Sequence, residues 1–326
     1  MKAIVRMKYG APDVLQLEEV ETPTPGDDDV LLKVHAASAN PLDWHYMRGA
    51  PFLARLESGL LKPKHPMLGA DIAGRVEAVG SSVTQFRPGD EVFGNNFERG
   101  LGAFAEYVCA GDGALAPKPA NTSFEEAAAV PVAAVTALQG LRDKGRIQPG
   151  QKVLINGASG GVGTFAVQIA KSFGAEVIGV CSTPNLEMVH SIGADHVIDY
   201  TQEDFTRNGQ RYDLIFDAVG NRSVSDYSRA LSPQGTCVIA GFTTLPRLFE
   251  HMILGALASR AGSKEIGLMG TMRPNKEDLG FMKELLEAGK VVPVIDRTFP
   301  LSEVPEAIQH LEKGHAKGKV VITIET

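Results

Sequence analysis

The sequence predicts an α/β protein in which an irregular, mostly β region encloses a doubly wound parallel sheet with helices on both faces. Three observations carry this. At 326 residues the chain is long for a single hydrophobic core, so two domains are expected. Residues 1–118 read as short strands broken by Pro and Gly. From residue 152 onward, short apolar strands alternate with helix-period segments, the signature of parallel β-α-β units.

The elements follow in order. AIVRM, VLLKVHAAS, DIAGRVEAVG, DEVFG and FAEYVCA are the strands of the first region. The character changes at NTSFEEAAAVPVAAVTALQGL, where residues 121–123 offer helix caps and Ala-rich helical segments follow. KVLIN is then a strand and leads to a helix ending near Ser172. EVIGVC, HVIDY, LIFDAVG and TCVIAG are further strands, with NLEMVHSIG a helix among them. After about Thr271 come the helices KEDLGFMKELLEAG and SEVPEAIQHLEKG and the strands RTFP and KVVITIE. The expected layout places residues 1–122 with 271–326 in one domain and 123–270 in an inserted one.

Composition narrows the partners. A net charge of −7 argues against a sequence-independent grip on nucleic acid or on an anionic membrane. The most apolar stretch, LFEHMILGALA, is too short to span a bilayer and carries Glu250 and His251. Cys109, Cys181 and Cys237 are widely spaced among apolar neighbours, as small hydrophobes in strands rather than a disulfide framework or a cysteine zinc site. The N-terminus starts like a strand and lacks a signal core, and a cytoplasmic location is expected.

The segment VLINGASGGVGTFAVQIA carries the most specific signal. Its glycine loop follows a strand and opens a helix, the context a dinucleotide-binding turn demands. In the pattern A-x-G-x-x-G, Ala158 takes the tight turn. Gly160 lets the backbone approach a pyrophosphate, and Gly163 lets the helix sit close to the sheet. With Ser159, Gly161 and Val162, these residues present free N–H groups and the positive end of a helix dipole to the phosphates. Where a carboxylate would grip a ribose 2′-hydroxyl, the chain has Ser182 and Thr183. Both can donate to a 2′-phosphate, so NADPH is expected over NADH. Pro184 sits where an Arg would help.

Beyond these local signals, the whole chain resembles the medium-chain dehydrogenase/reductase superfamily, in its zinc-free quinone oxidoreductase branch. The residues that carry the resemblance are GAPDVLQLEEVETPTPGDDDVLLKVHAASANPLDWHYMRG, HPMLGADIAGRVEAVG, RPGDEVFG, FAEYV, NGASGGVG and SIGADHVIDY, in this order. It implies a GroES-like, mostly β catalytic domain, a Rossmann domain and an active site in the cleft between them. The zinc-dependent members place a Cys, a Gly-His-Glu and a further Cys where this chain has Asn40, Gly69-Ala70-Asp71 and Val132. Catalytic zinc needs three N, S or O ligands and an open position. No metal is expected, because the spacing of Asp43, His45 and Asp71 matches no familiar site. Alcohol oxidation needs a Lewis acid to hold an alkoxide. Hydride addition to a quinone or an α,β-unsaturated carbonyl builds charge on a conjugated oxygen that hydrogen bonds can hold.

The resemblance assigns roles residue by residue. Asn40 and Asp43 would position cofactor and polar substrate groups. Tyr46 would donate a hydrogen bond or proton to the developing enolate, or would only pack. Arg48 would brace Asp43 or the loop, and Trp44 would anchor it. Thr136 would bond near the nicotinamide phosphate or ribose, or satisfy its own helix backbone. Tyr200 matches a residue near the adenosine 2′-phosphate. Gly241 and Phe242 fall at the nicotinamide end, and Lys319 matches a late Gly-Lys contact or is a solvated lysine. Two apolar stripes, Phe52, Leu53, Leu56, Leu60 and Leu61 in one and Leu248 with its neighbours in the other, are either core or dimer face, or a greasy lid for a small apolar electrophile. The expected protein is an NADPH-dependent quinone or enone oxidoreductase and a homodimer. The alternatives are an alcohol dehydrogenase or carbonyl reductase, and a non-catalytic NADPH-binding structural protein.

Overall fold

A computed structural model describes residues 1–52 and 54–325, and Leu53 of the first apolar stripe lies outside them. The chain forms two compact units. The first comprises Met1–Val135, Arg273–Gly289 and Pro293–Thr326, and the second Thr136–Met272 and Lys290–Val292. The helix Phe124–Ala128 is capped by Ser123, whose hydroxyl accepts from the Glu126 N–H, and it groups with the first unit.

The first unit is built on a seven-stranded sheet around the long strand Asp29–Ala39. Its sequence, DVLLKVHAASA, is buried at nearly every position because neighbours cover both faces. Its first half pairs antiparallel with Tyr107–Gly111, and it also pairs along its length with Asp71–Val79. Its last residues pair antiparallel with Lys319–Thr323, so that Ala39 faces Val320 and Ser38 faces both Asp71 and Val321. Three strand ends therefore meet at one point: the finish of Asp29–Ala39 and the starts of Asp71–Val79 and Lys319–Thr323. The core beneath this sheet includes Leu32, Val34, Met47, Leu68, Ile72, Phe104 and Ile308. Immediately after Ala39 the chain turns into the helix Pro41–Arg48. Pro41 suits the first helical turn, where its missing N–H costs nothing. Gly49 ends the helix in the left-handed conformation, with φ 58°.

The second unit is the doubly wound sheet that the sequence predicts. Its six strands are all parallel, in the spatial order His196–Asp199, Glu176–Cys181, Lys152–Asn156, Tyr212–Asp217, Leu231–Ile239 and Glu265–Leu268. The central strands are apolar in their interiors, at residues 153–155, 177–181 and 214–216, as burial on both faces requires, with polar residues at their ends. The strand order reverses between Lys152–Asn156 and Tyr212–Asp217, where Asn156 faces Asp217. A crevice opens at such a switch point, beyond the carboxyl ends of the strands. All three cysteines lie in strands as free thiols, with Cys181 and Cys237 buried and Cys109 half-buried. No helix among the described residues is long and apolar enough to cross a membrane.

Candidate functional site

In the second unit the glycine loop sits at the switch point. Gly157 adopts φ +81° directly after the strand, and the helix Gly161–Ser172 begins with Gly160 as its cap. No side chain caps that end. The first N–H groups of a helix have no partner within it, so this end presents donors and a positive dipole to an anion. The glycines act differently. A Cβ at Gly163 would lie 2.0 Å from the Gly157 carbonyl oxygen, so Gly163 is required for close packing of the helix on the loop. A Cβ at Gly160 would meet only that oxygen, at 3.5 Å, leaving open the space a diphosphate would enter. Ala158 is fully buried under the turn.

Asn185, absent from the sequence prediction, ties this loop to the end of the second strand. Its Nδ2 donates to Ser159 Oγ at 3.3 Å and Ser182 Oγ at 3.1 Å, and its buried Oδ1 has no protein partner. An orphaned acceptor and a cradle without side chains fit a polar ligand here. Thr183 behaves otherwise than expected. Its hydroxyl donates to Asp199 Oδ2 at 2.5 Å, so it is not free to serve a 2′-phosphate while that bond holds. Asp199 also accepts from the Thr201 N–H and hydroxyl, and these donors, Thr183 foremost, hold its carboxyl below the usual range. A carboxylate thus stands at the turn after all, supplied by the third strand. Tyr200, next to it, is exposed.

At the far side of the switch point Asp217 is buried and fully engaged. Oδ1 accepts the N–H groups of Val219 and Gly220, both at 2.7 Å, and Oδ2 accepts Asn156 Nδ2 at 2.9 Å and the Tyr227 hydroxyl at 2.5 Å. Burial, with Asp217 beside it, pushes the Tyr227 phenol far up, so it remains a donor. This fixes the turn 218–220, against which Gly241 packs so closely that a Cβ would lie 2.2 Å from the Ala218 carbonyl oxygen. Gly241 and the exposed Phe242 are held there by backbone contact. Thr136 is half-buried within the helix Pro131–Leu138.

In the first unit the three converging strand ends assemble a buried polar cluster. Lys319, 3% exposed, donates from Nζ to Asn40 Oδ1 at 2.7 Å and to Asp71 Oδ2 at 3.2 Å. Asp71 Oδ2 also accepts Ser38 Oγ at 2.6 Å and Asn40 Nδ2 at 2.8 Å, and Oδ1 accepts the Val132 N–H at 2.8 Å. A buried charge pair is tolerable only when its remaining lone pairs and protons are satisfied in this way. Lys319 is therefore not a solvated lysine. Two of its three donors are engaged by Asn40 and Asp71, leaving one for a ligand.

Asp43 lies one helical turn on, fully buried. Its Oδ2 accepts the Asn40 N–H at 2.8 Å and its Oδ1 the Gly69 N–H at 2.9 Å. Burial outweighs these bonds and pushes its pKa up to about 7. Arg48 does not brace Asp43; it forms a two-pronged pair with Glu312. Trp44 stacks on His45 and packs on the core, as an anchor would. Tyr46 is half-buried and packs against the same core. The apolar stripes are open rather than core: Phe52 is 64% exposed and Leu61 95%, while Leu248 is half-buried.

Comparison with known proteins identifies the family. Residues 26–120 match the family described as alcohol dehydrogenase GroES-like domain, and residues 192–322 match the one described as zinc-binding dehydrogenase. The chain is 37% identical to the 2-methylene-furan-3-one reductase of Solanum lycopersicum, over 99% of this chain and 79% of that protein. It is 36% identical, over the same shares, to a chloroplastic NADPH-dependent alkenal/one oxidoreductase of Arabidopsis thaliana. The structure of the quinone oxidoreductase from Coxiella burnetii superposes with a TM-score of 0.87 at 34% identity, covering 100% of this chain and 99% of that one.

The word zinc in one of these descriptions does not fit the residues present. Asn40, Ala70 and Val132 stand where the zinc-dependent pattern has its ligands, and the Lys319 ammonium occupies the space beside Asn40 and Asp71. A dication would meet a fixed cation there and would lack three ligating side chains. Among the described residues, no group of three or more His, Cys, Asp and Glu is gathered to hold a metal.

Proposed function

Because the chain belongs to the medium-chain dehydrogenase/reductase superfamily, with quinone and alkenal oxidoreductases among its relatives, we propose that it is a zinc-independent, NADPH-dependent oxidoreductase of quinones or α,β-unsaturated carbonyls. The observation that carries the zinc-free part is the Lys319–Asn40–Asp71 cluster, an internal cation where a metal would otherwise neutralise charge. The cofactor supplies a hydride to the conjugated acceptor. The chain's residues bind, orient and handle the proton.

The uncapped helix end at Gly160, with Ser159, Gly161, Val162 and Gly163, holds the diphosphate. Ser182 and Tyr200 flank the 2′-phosphate, and Asp199 weakens that preference. In the second unit Gly241, Phe242 and Thr136 are assigned to the nicotinamide half, and in the first unit the free donor of Lys319 is assigned to a polar ligand group. Asn40, held by Lys319 and by Asp71, and Asp43, through its grip on the Asn40 and Gly69 N–H groups, keep the turn into the helix rigid. Tyr46 donates to the enolate oxygen as charge develops there. Phe52 supplies apolar surface for an acceptor on the first unit, and Leu248 does so on the second. The exposed apolar residues of Leu245–Ala261 support a homodimer. Free thiols support a reducing compartment such as the cytoplasm.

The test is the disappearance of reduced-nicotinamide absorbance with NADPH or NADH, using a quinone, a linear enone and a simple ketone, each with and without chelator. Chelator-insensitive turnover of quinone or enone is expected. Turnover of the ketone alone, or loss of activity on chelation, refutes the zinc-free reading.

A further inference from the structure

The first unit contains a cavity of about 480 Å³ lined by Tyr46, Phe97 and Leu101, with His65 and Arg99 at its sides and Arg6 in its wall. This size suits a small ligand. Its chemistry is set by Arg6, the one charged residue among these that is buried, at 2% exposed.

The Arg6 guanidinium is under-satisfied. Nη1 donates to the Tyr46 carbonyl at 2.5 Å and the group lies 5.4 Å from the Tyr9 ring centroid. Nε is buried with no partner, and no carboxylate among the described residues lies within ion-pair distance of it. Burial lowers its pKa to about 10, against weaker opposing influences from Tyr9 and Asp43, so it stays charged at neutral pH. A buried cation whose fork has found one carbonyl is costly unless a further acceptor completes it. An arginine fork matches a carboxylate with two parallel hydrogen bonds. Among the described residues, no other charged group of the lining pairs with Arg6. Arg99 is paired with Asp29 at 3.0 Å, and Glu98, the one acid among the described lining residues, is exposed.

We infer that this cavity receives the carboxylate of an acidic acceptor, with Arg6 as its counter-charge and Phe97 and Leu101 against its carbon chain. The preferred substrates are enones or quinones that carry a carboxylate at a distance from the reacting bond. This rests on the proposed reaction only for the word substrate; the binding site itself does not.

The experiment compares an enone fatty acid of medium length with its methyl ester, as the ratio of kcat/KM values with NADPH. The wild type is expected to prefer the acid by roughly tenfold or more, as a charge-assisted pair implies. In Arg6→Gln that preference falls to within about twofold, and Arg6→Lys, with the charge but no fork, lies between. Binding is read separately, from the fluorescence of Trp44, the single tryptophan, and from the melting temperature, with octanoate, octanol and inorganic phosphate as probes. Octanoate alone is expected to shift the wild type, and not Arg6→Gln. An acid preference that survives in a folded Arg6→Gln, or equal stabilisation by phosphate and octanoate, overturns the inference. Enone reduction without acid preference or octanoate binding removes this site and leaves the proposed function. Octanoate binding that needs Arg6, with no enone or quinone reduced, does the reverse.

Discussion

Replacing Lys319 by Met tests the internal cation directly. The ammonium is 3% exposed and bonds Asn40 Oδ1 and Asp71 Oδ2, while Asp71 itself is fully buried. Removing one partner of such a pair costs about 3–5 kcal/mol, because the other charge stays buried. Two details place the value in that range. Asp71 keeps three donors, from Ser38, Asn40 and Val132, which pulls the cost down. Asn40 Oδ1 loses its donor, which adds about 1–3 kcal/mol for an unsatisfied buried acceptor. For a unit of this size a loss of about 4 kcal/mol lowers the melting temperature by roughly 10 °C. Trp44 lies in the same unit and reports its unfolding by fluorescence. Adding Asp71→Asn to Lys319→Met removes the stranded charge, and the double variant should regain about half the loss. A single variant that melts within about 2 °C of wild type refutes the buried pair. So does a double variant whose losses merely add.

The remaining predictions concern pH, cofactor and loop. Asp43 titrates near 7 in the folded chain against 3.8 in the free residue. The folded state therefore holds the extra proton, and stability falls as pH rises from about 4 to about 7, by roughly 4 kcal/mol in all, then levels. Lowered His35 and His45 act oppositely below pH 6.5, so the measurement is the difference in urea stability between wild type and Asp43→Asn. A difference that is flat from pH 5 to 8 contradicts the raised pKa. Asp199→Asn removes a carboxylate from the adenosine end and should shift the kcat/KM ratio toward NADPH by about threefold to tenfold; an unchanged ratio places the 2′-phosphate elsewhere. Gly160→Ala should raise the KM for NADPH with little change in melting temperature. Gly163→Ala, whose Cβ would meet the Gly157 carbonyl at 2.0 Å, should lower stability itself by a few kcal/mol. Equal melting temperatures for the two variants refute that division of labour.

The doubly wound unit was legible because its signals are local. KVLIN, the glycine loop and the next helix are contiguous, and apolar runs of strand length between helix-period segments admit few topologies. The long-range contacts were not legible. Lys319 reads as one basic residue in a loop of several, and only the register of three strands brings it to Asn40, 279 positions away. Arg48 was expected to brace Asp43 or the loop, but Glu312 arrives from 264 positions away and takes both prongs of its guanidinium. Thr183 and Ser182 were read as phosphate donors by inspecting the second strand alone, whereas the third strand delivers Asp199 to the same turn. Arg6 gave no signal, since MKAIVRMKYG looks like any edge strand with a solvated cation. Asn185 could have been found: an Asn three residues beyond Ser182, at a helix start, is well placed to bridge back.

The meeting of three strand ends also sets an order of events as the chain is made. The second unit is nearly continuous, residues 136–272, and can fold while the ribosome is still adding sequence. The first unit cannot. Its central strand waits for Lys319–Thr323 to occupy one edge, and until Lys319 arrives, Asp71 and Asn40 lack their cation. The polar cluster, begun by the first 71 residues, is thus finished only by a residue 248 positions beyond Asp71. Closing so long a loop is slow, and a chain stopped short of Lys319 keeps the second unit's sheet but not the completed polar cluster of the first.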